Sequence, residues 1–327
     1  VCSSIHIWVL KAGFIASFFI LLSACGTAPQ TLALTASPPD SLPRQSSIKS
    51  VPFYAQKKYF CGPTALAEVF NFYGAKQTPE KLAPSIFIPE LEGSLQIEMA
   101  AATRKYHFLP YADNSNLKQL LALVSDGMPV IVLQNLSIPW IPAWHYAVVT
   151  GYDLQQQTIR LHSGDIKHYE MDLSVFERTW QRANFWLLAV VPPDKSSRHF
   201  NSFIYTKAAQ DLIDVGKIDS GVMALQQASK QWPDQWLAYF LLGNYYLNLD
   251  PMRAYNWYQK GYPYGQYTAA YLNNFAYLMG KLGCNNEARQ LINQALAIKP
   301  DDPNLQDTYQ SIDKKLNQSM CPIVSGQ

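Results

Sequence analysis

Apolar residues run almost unbroken over residues 12–24 (AGFIASFFILLSA) and end in small side chains. The run suits the apolar centre of a signal peptide, although residues 5–24 nearly reach the length of a spanning helix. Residues 26–50 show no apolar period and are rich in Thr, Ser, Pro, Gln and Ala, which predicts a flexible tether. Helical spacing begins with Leu66, Val69, Phe70 and Tyr73. Pro63 suits the first helical residue, and Gly74 suits the helix end. A second apolar helix is expected at Leu117–Val124. The pattern then changes: Pro129–Gln134, Ala147–Tyr152, Thr158–His162 and Phe185–Val191 read as strands. A helical half leading into a several-stranded sheet predicts an α+β domain over residues 51–194. Over residues 202–318 the pattern is helical again, and it repeats.

Three units are visible in that last stretch. Ser202–Gln235 carries Tyr205, Ala208, Ala209, Leu212, Gly221, Leu225, Ala228 and Pro233. Trp236–Thr268 carries Leu242, Gly243, Tyr246, Ala254 and Tyr258, with one residue fewer in its turn. Ala269–Asp302 carries Leu272, Phe275, Ala276, Ala288, Ala295 and Pro300. Small residues stand where paired helices must approach, and large ones fill between them. The units resemble tetratricopeptide repeats. That resemblance implies a short solenoid whose concave face binds a peptide or partner protein, with Asn304–Asn317 as a capping helix. The alternative is that the repeats serve only to pack against the first domain.

Composition narrows the picture. Of 327 residues, 48% are apolar and 15% charged, enough apolar material for real cores. The net charge is +2 and no long Lys/Arg run occurs, so a nucleic-acid partner is not expected. No G-x-x-x-x-G-K-[ST] phosphate loop is present. No cofactor and no metal are expected.

The candidate chemistry centres on Cys61, placed just before the first helix. The partial positive charge of a helix N-terminus favours the thiolate, the nucleophile of acyl transfer. His145 falls just before the strand Ala147–Tyr152, from which it would reach across a cleft to the thiol. The stretch from Gln56 through Cys61-Gly62-Pro63-Thr64-Ala65, with His145-Tyr146-Ala147-Val148-Val149-x-Gly151-Tyr152-Asp153 further on, resembles the bacteriocin-processing, double-glycine-leader cysteine peptidases. The resemblance implies a papain-like fold and peptide-bond hydrolysis, with Cys61 as nucleophile and His145 as base. It also implies that the Gln56 side-chain amide stabilises the oxyanion, a contribution of ~3 kcal/mol for a positioned donor. The family usually has an Asp on the strand after the histidine to orient the imidazole. Here Ser163 stands at that place and Asp165 lies two residues on. A bend at Gly164 would bring Asp165 to the ring, and Asp165 is the favoured third member; Ser163 is the alternative. His107, His162 and His168 have no matching motif and read as ordinary surface or packing residues. The Trp140–Trp144 cluster reads equally as loop packing or as a wall of the substrate groove.

The N-terminal Leu22-Ser23-Ala24-Cys25-Gly26 looks like a bacterial lipobox. That likeness implies cleavage of residues 1–24, acylation of Cys25, a membrane tether through residues 25–50 and an outer-membrane address facing the periplasm. An uncleaved anchor is the alternative. Of five cysteines, Cys2 would leave with the signal, Cys25 would be acylated and Cys61 must stay free. Cys284 and Cys321 remain, and they are expected to form a disulfide that staples the cap in an oxidising compartment.

The expected whole is an α+β papain-like cysteine peptidase domain followed by an all-α tetratricopeptide-repeat solenoid. The leading function is an envelope-anchored thiol peptidase acting on a peptide or protein substrate, with a protein partner held by the repeats. The alternative is a binding or scaffolding lipoprotein with little or no activity. A transferase or isopeptidase on the same pair is a third reading.

Overall fold

A computed structural model describes residues 28–312 and Cys321. The expected signal peptide and the acylated Cys25 lie outside the described residues, as does the end of the expected capping helix.

The first half is a helix-covered antiparallel sheet. Its strands are β1 (Gln45–Ser47), β4 (Leu109–Asn114), β5 (Val130–Asn135), β6 (Trp144–Asp153), β7 (Thr158–Ser163), β8 (Ile166–Asp172) and β9 (Trp186–Val191). The order is β4-β9-β5-β6-β7-β8, with β1 added on β6. A separate small hairpin is formed by β2 (Phe87–Ile88) and β3 (Gly93–Ser94). All six residues of β9 are buried, which accounts for the unbroken apolar run there. The helices are α1 (Pro29–Ala36), α2 (Cys61–Phe72), α3 (Pro79–Leu82), α4 (Gln96–Lys105), α5 (Leu117–Ser125) and α6 (Leu173–Gln181). Helix α2 packs on β6, α6 on β5, and α5 on β1 and β6.

The stretch expected to be a flexible tether is, from residue 28 onward, part of this fold. Helix α1 is clasped by Glu177 on α6, which is fully buried. Its carboxylate accepts from the amides of Gln30 and Thr31 at 3.0 and 2.7 Å, and from the Thr31 hydroxyl at 2.7 Å. Strand β1 then runs along β6, Ser47 opposite Gly151. A Cβ on Gly151 would lie 2.7 Å from the Ser46 carbonyl oxygen, so β1 docks only against a glycine. Neither partner is adjacent in sequence, which is why a local pattern could not reveal the contact.

Two boundaries shift in ways that matter for the site. Helix α2 starts at Cys61 itself, its first bond running from the Thr64 amide to the Phe60 carbonyl at 3.0 Å. Pro63 is therefore the third helical residue, still within the turn whose N–H groups have no helical partner. Strand β6 begins at Trp144, so His145 lies inside the strand, paired with Gln134.

The second half contains seven helices among the described residues: α7 (Ser202–Asp214), α8 (Ile218–Gln231), α9 (Trp236–Tyr246), α10 (Pro251–Gly265), α11 (Ala269–Lys281), α12 (Asn285–Ile298) and α13 (Pro303–Ser311). Helices α7, α9 and α11 open at Ser202, Trp236 and Ala269, where the sequence units open. Gly243 accepts the Tyr258 ring of the paired helix, which would come within 2.7 Å of a Cβ there. Cys284 and Cys321 form a disulfide with their Cα atoms 5.5 Å apart. The first helix pair is fastened to the sheet: Phe200 lies 4.1 Å from the Tyr111 ring, whose hydroxyl accepts from the Asn201 amide at 3.0 Å. Among the described residues no helix is long and apolar enough to cross a membrane.

Candidate active site

The site forms where the first turn of α2 meets β6. Cys61 is half-buried, with a free thiol. The main-chain N–H groups of Tyr146, Gly62 and Cys61 favour the thiolate, but burial outweighs them and raises its pKa. The Gln56 side-chain amide reaches the Tyr146 carbonyl at 3.5 Å. Both groups thus converge on the main chain of Tyr146, the residue after His145. The Gln56 main-chain N–H donates to the Gly164 carbonyl at 3.0 Å, which ties this segment to the β7–β8 turn.

His145 is held from the other side. Its Nε2 lies 2.9 Å from the Ser163 hydroxyl, its one hydrogen bond among the described residues. This leaves Nδ1 as the ring nitrogen without a described partner. Burial lowers the His145 pKa, so the ring is neutral at neutral pH. A neutral imidazole is the form that can accept a thiol proton.

Asp165, the favoured third member on sequence grounds, is not at the ring. Ser163 pairs with Ile166, so Gly164 and Asp165 form a two-residue hairpin turn, with Gly164 at φ +62°. A glycine with positive φ at the first turn position is the type II′ pattern. It leaves Asp165 exposed at the tip, while the strand residue Ser163 is presented to β6. A hydroxyl orients the imidazole but supplies no charge to balance an imidazolium.

A buried pair stands directly behind these groups. Glu68 on α2 and His162 on β7 are each only 1% exposed, with Oε2 and Nδ1 3.0 Å apart. The other Glu68 oxygen accepts from the Tyr54 amide at 3.0 Å. Burial raises the Glu68 pKa against the opposing pull of the His162 and Tyr54 hydrogen bonds. His162 is therefore not the ordinary packing residue that its sequence context suggested. One signal did exist: Glu68 is the lone charge in the run CGPTALAEVFNF, nine of whose residues are buried. A carboxylate on such a helix requires a partner.

The loop from Leu136 to Ala143 connects β5 to β6, the strand that carries His145. The Asn135 side chain holds its base, accepting from the Ser137 and Ala143 amides at 3.0 and 2.9 Å. Trp140 is 77% exposed and Trp144 53% exposed, so the cluster is not loop packing. Among the described residues no group of His, Cys, Asp and Glu is placed to hold a metal ion.

Residues 48–186 match the model of the Peptidase_C39 like family. This stretch is similar to Peptidase_C39-like domains. The match holds Gln56, Cys61, His145 and Ser163 and stops before the helical region. Two solved structures are similar at low identity. One is a putative C39-like peptidase from Bacillus anthracis, 18% identical with a TM-score of 0.41, covering 47% of this chain and 100% of that one. The other is the peptidase domain of Streptococcus ComA, a bi-functional ABC transporter involved in a quorum-sensing pathway. It is 19% identical with a TM-score of 0.35, covering 42% of this chain and 96% of that one. No curated protein matches the chain.

Proposed function

We propose that the C39-like domain is a thiol peptidase that hydrolyses peptide bonds with Cys61 as nucleophile and His145 as general base. The observation that carries this reading is the convergence of Cys61 and Gln56 on Tyr146, with the neighbouring His145 held by Ser163. His145 takes the thiol proton as sulfur attacks the carbonyl carbon. The Gln56 amide donates to the developing oxyanion. His145 then protonates the leaving amine, and water releases the thioester. The exposed Trp140, on the loop that leads into β6, is the candidate wall for the substrate chain. The lipobox-like residues around Cys25 support an envelope-anchored lipoprotein on the periplasmic face of the outer membrane. The repeating units support a tetratricopeptide-type surface that takes a substrate or partner protein.

The test compares envelope peptides from cells carrying the natural protein and Cys61→Ala. Peptides whose cut ends disappear with the thiol are expected; identical peptide profiles would sink the peptidase reading.

A second reading has its own observation. Burial raises the Cys61 pKa and lowers that of His145, and Ser163 brings no charge, so the resting pair is neutral. Such a domain could grip a peptide without cutting it. Labelling of Cys61 at neutral pH that is lost in His145→Ala favours the enzyme. Labelling only above the ordinary thiol pKa of about 8.5 favours the binder.

A further inference from the structure

We propose that Glu68 is a positioning residue for this site, fastening the segments that bear Gln56 and Ser163 to the helix that bears Cys61. The inference rests on the peptidase reading and deepens it.

One carboxylate joins three pieces of chain. Glu68 lies seven residues, about two turns, beyond Cys61 on α2. Its Oε1 accepts from Tyr54, two residues before Gln56 and 14 residues away in sequence. Its Oε2 meets His162, one residue before Ser163 and 94 residues away in sequence. Phe53, from the Gln56 segment, packs edge-on to the His162 ring at 5.3 Å. Hence the oxyanion donor, the nucleophile and the partner of the base are each within one to seven residues of a single buried junction. The His162 Nε2 is buried and has no hydrogen-bond partner among the described residues, so Glu68 is the ring's one described hydrogen-bonding tie.

Stability alone is a poor reason for this junction. A buried hydrogen-bonded pair replaced on both sides by apolar groups of the same shape can cost almost nothing, whereas removing one partner strands the other. What an apolar pair could not do is fix both a main-chain amide and a ring nitrogen at hydrogen-bond distance. Reacting groups tolerate little displacement, and a shift of about 1 Å can cost a hundredfold in rate.

The test uses the full chain with Glu68→Gln, which keeps shape and an acceptor for Tyr54 but loses the second carboxylate oxygen. His162→Phe serves as a second variant that keeps the ring volume. The probe is iodoacetamide, and the quantity read is the factor by which His145 accelerates Cys61 alkylation, obtained by combining each variant with His145→Ala. That factor is expected to fall about tenfold. Hydrogen exchange is expected to rise in residues 52–60 and 159–166 and to stay unchanged in α7 to α12. A folded Glu68→Gln protein that keeps the full His145 factor overturns the proposal. So does exchange that rises evenly over the whole domain, which marks a merely structural role. If His145→Ala leaves alkylation of otherwise natural protein unchanged, the peptidase reading itself falls and this inference falls with it.

Discussion

The two halves of the molecule bury their polar groups in different ways. In the C39-like half, buried Glu68, His162, Gln134 and Glu177 tie together segments far apart in sequence. Among the described residues of the helical half the buried polar ones are Thr206, Ser220, Ser229, Asn285 and Thr308, none of them charged. Its large buried groups are tyrosines that stack between neighbouring helices, such as Tyr258 beside Phe275. The first half is therefore specified by long-range polar ties, and the second by apolar packing between adjacent helices. A site needing side chains from four separate segments can be assembled only by the first strategy. The helical half, whose neighbouring helices pack in pairs, needs only the second.

Each contrast can be broken by measurement, beginning with the largest effect. Replacing Cys284 and Cys321 by Ser opens a loop of sequence separation 37, at an expected cost of about 4 kcal/mol. In the helical half the loss should stay local: hydrogen exchange should rise in α12 and α13 and not at residues 52–60. Spread of the loss into the sheet would contradict nearest-neighbour behaviour. Glu177→Ala should cost about 3 kcal/mol by stranding the Gln30 and Thr31 amides. Chemical denaturation should show the loss, and protease cutting within residues 28–44 should accompany it. Insensitivity there would mean that α1 is not integral to the domain. Gly243→Ala should cost about 2 kcal/mol through the clash with Tyr258, read as a lowered midpoint of the helical half alone. The smallest effect concerns pH. Because burial lowers the His145 pKa, the ring stays neutral, and able to act as base, below the ordinary histidine value of about 6.5. The acid limb of the pH–rate profile should therefore fall below that value. A limb at or above it would mean that the site opens to water in the working state.

Much of the fold was legible because the responsible forces are local. The runs Pro129–Gln134 and Phe185–Val191 coincide with β5 and β9 to within a residue at each end, because a strand buried on both faces needs continuous apolar side chains, and Thr158–His162 coincides with β7 through the alternation of Ile159 and Leu161 with polar residues. The opening of α7, α9 and α11 was visible for the same kind of reason, since each helix pair is a local packing unit. Helix α1 and strand β1 were missed because their partners, Glu177 and Gly151, lie more than a hundred residues away. Glu68 and His162 were missed as a pair for that reason too: the lone charge of Glu68 calls for a partner, but only the fold shows that His162, 94 residues away, supplies it.

The third member at His145 draws the line most clearly. Sequence alone determined the residue types, namely Gln56, the thiol at a helix start and a histidine near a strand edge. It left Asp165 and Ser163 both available, because they differ by two positions on one hairpin. In the tertiary structure the Ser163 hydroxyl is the ring's hydrogen-bond partner and Asp165 is exposed. The turn at Gly164–Asp165 turns the carboxylate outward, and pairing in register sets the Ser163 hydroxyl against the ring. Chain spacing records which groups exist, whereas the direction of a side chain depends on turn type and strand register. Those are set by contacts between distant segments.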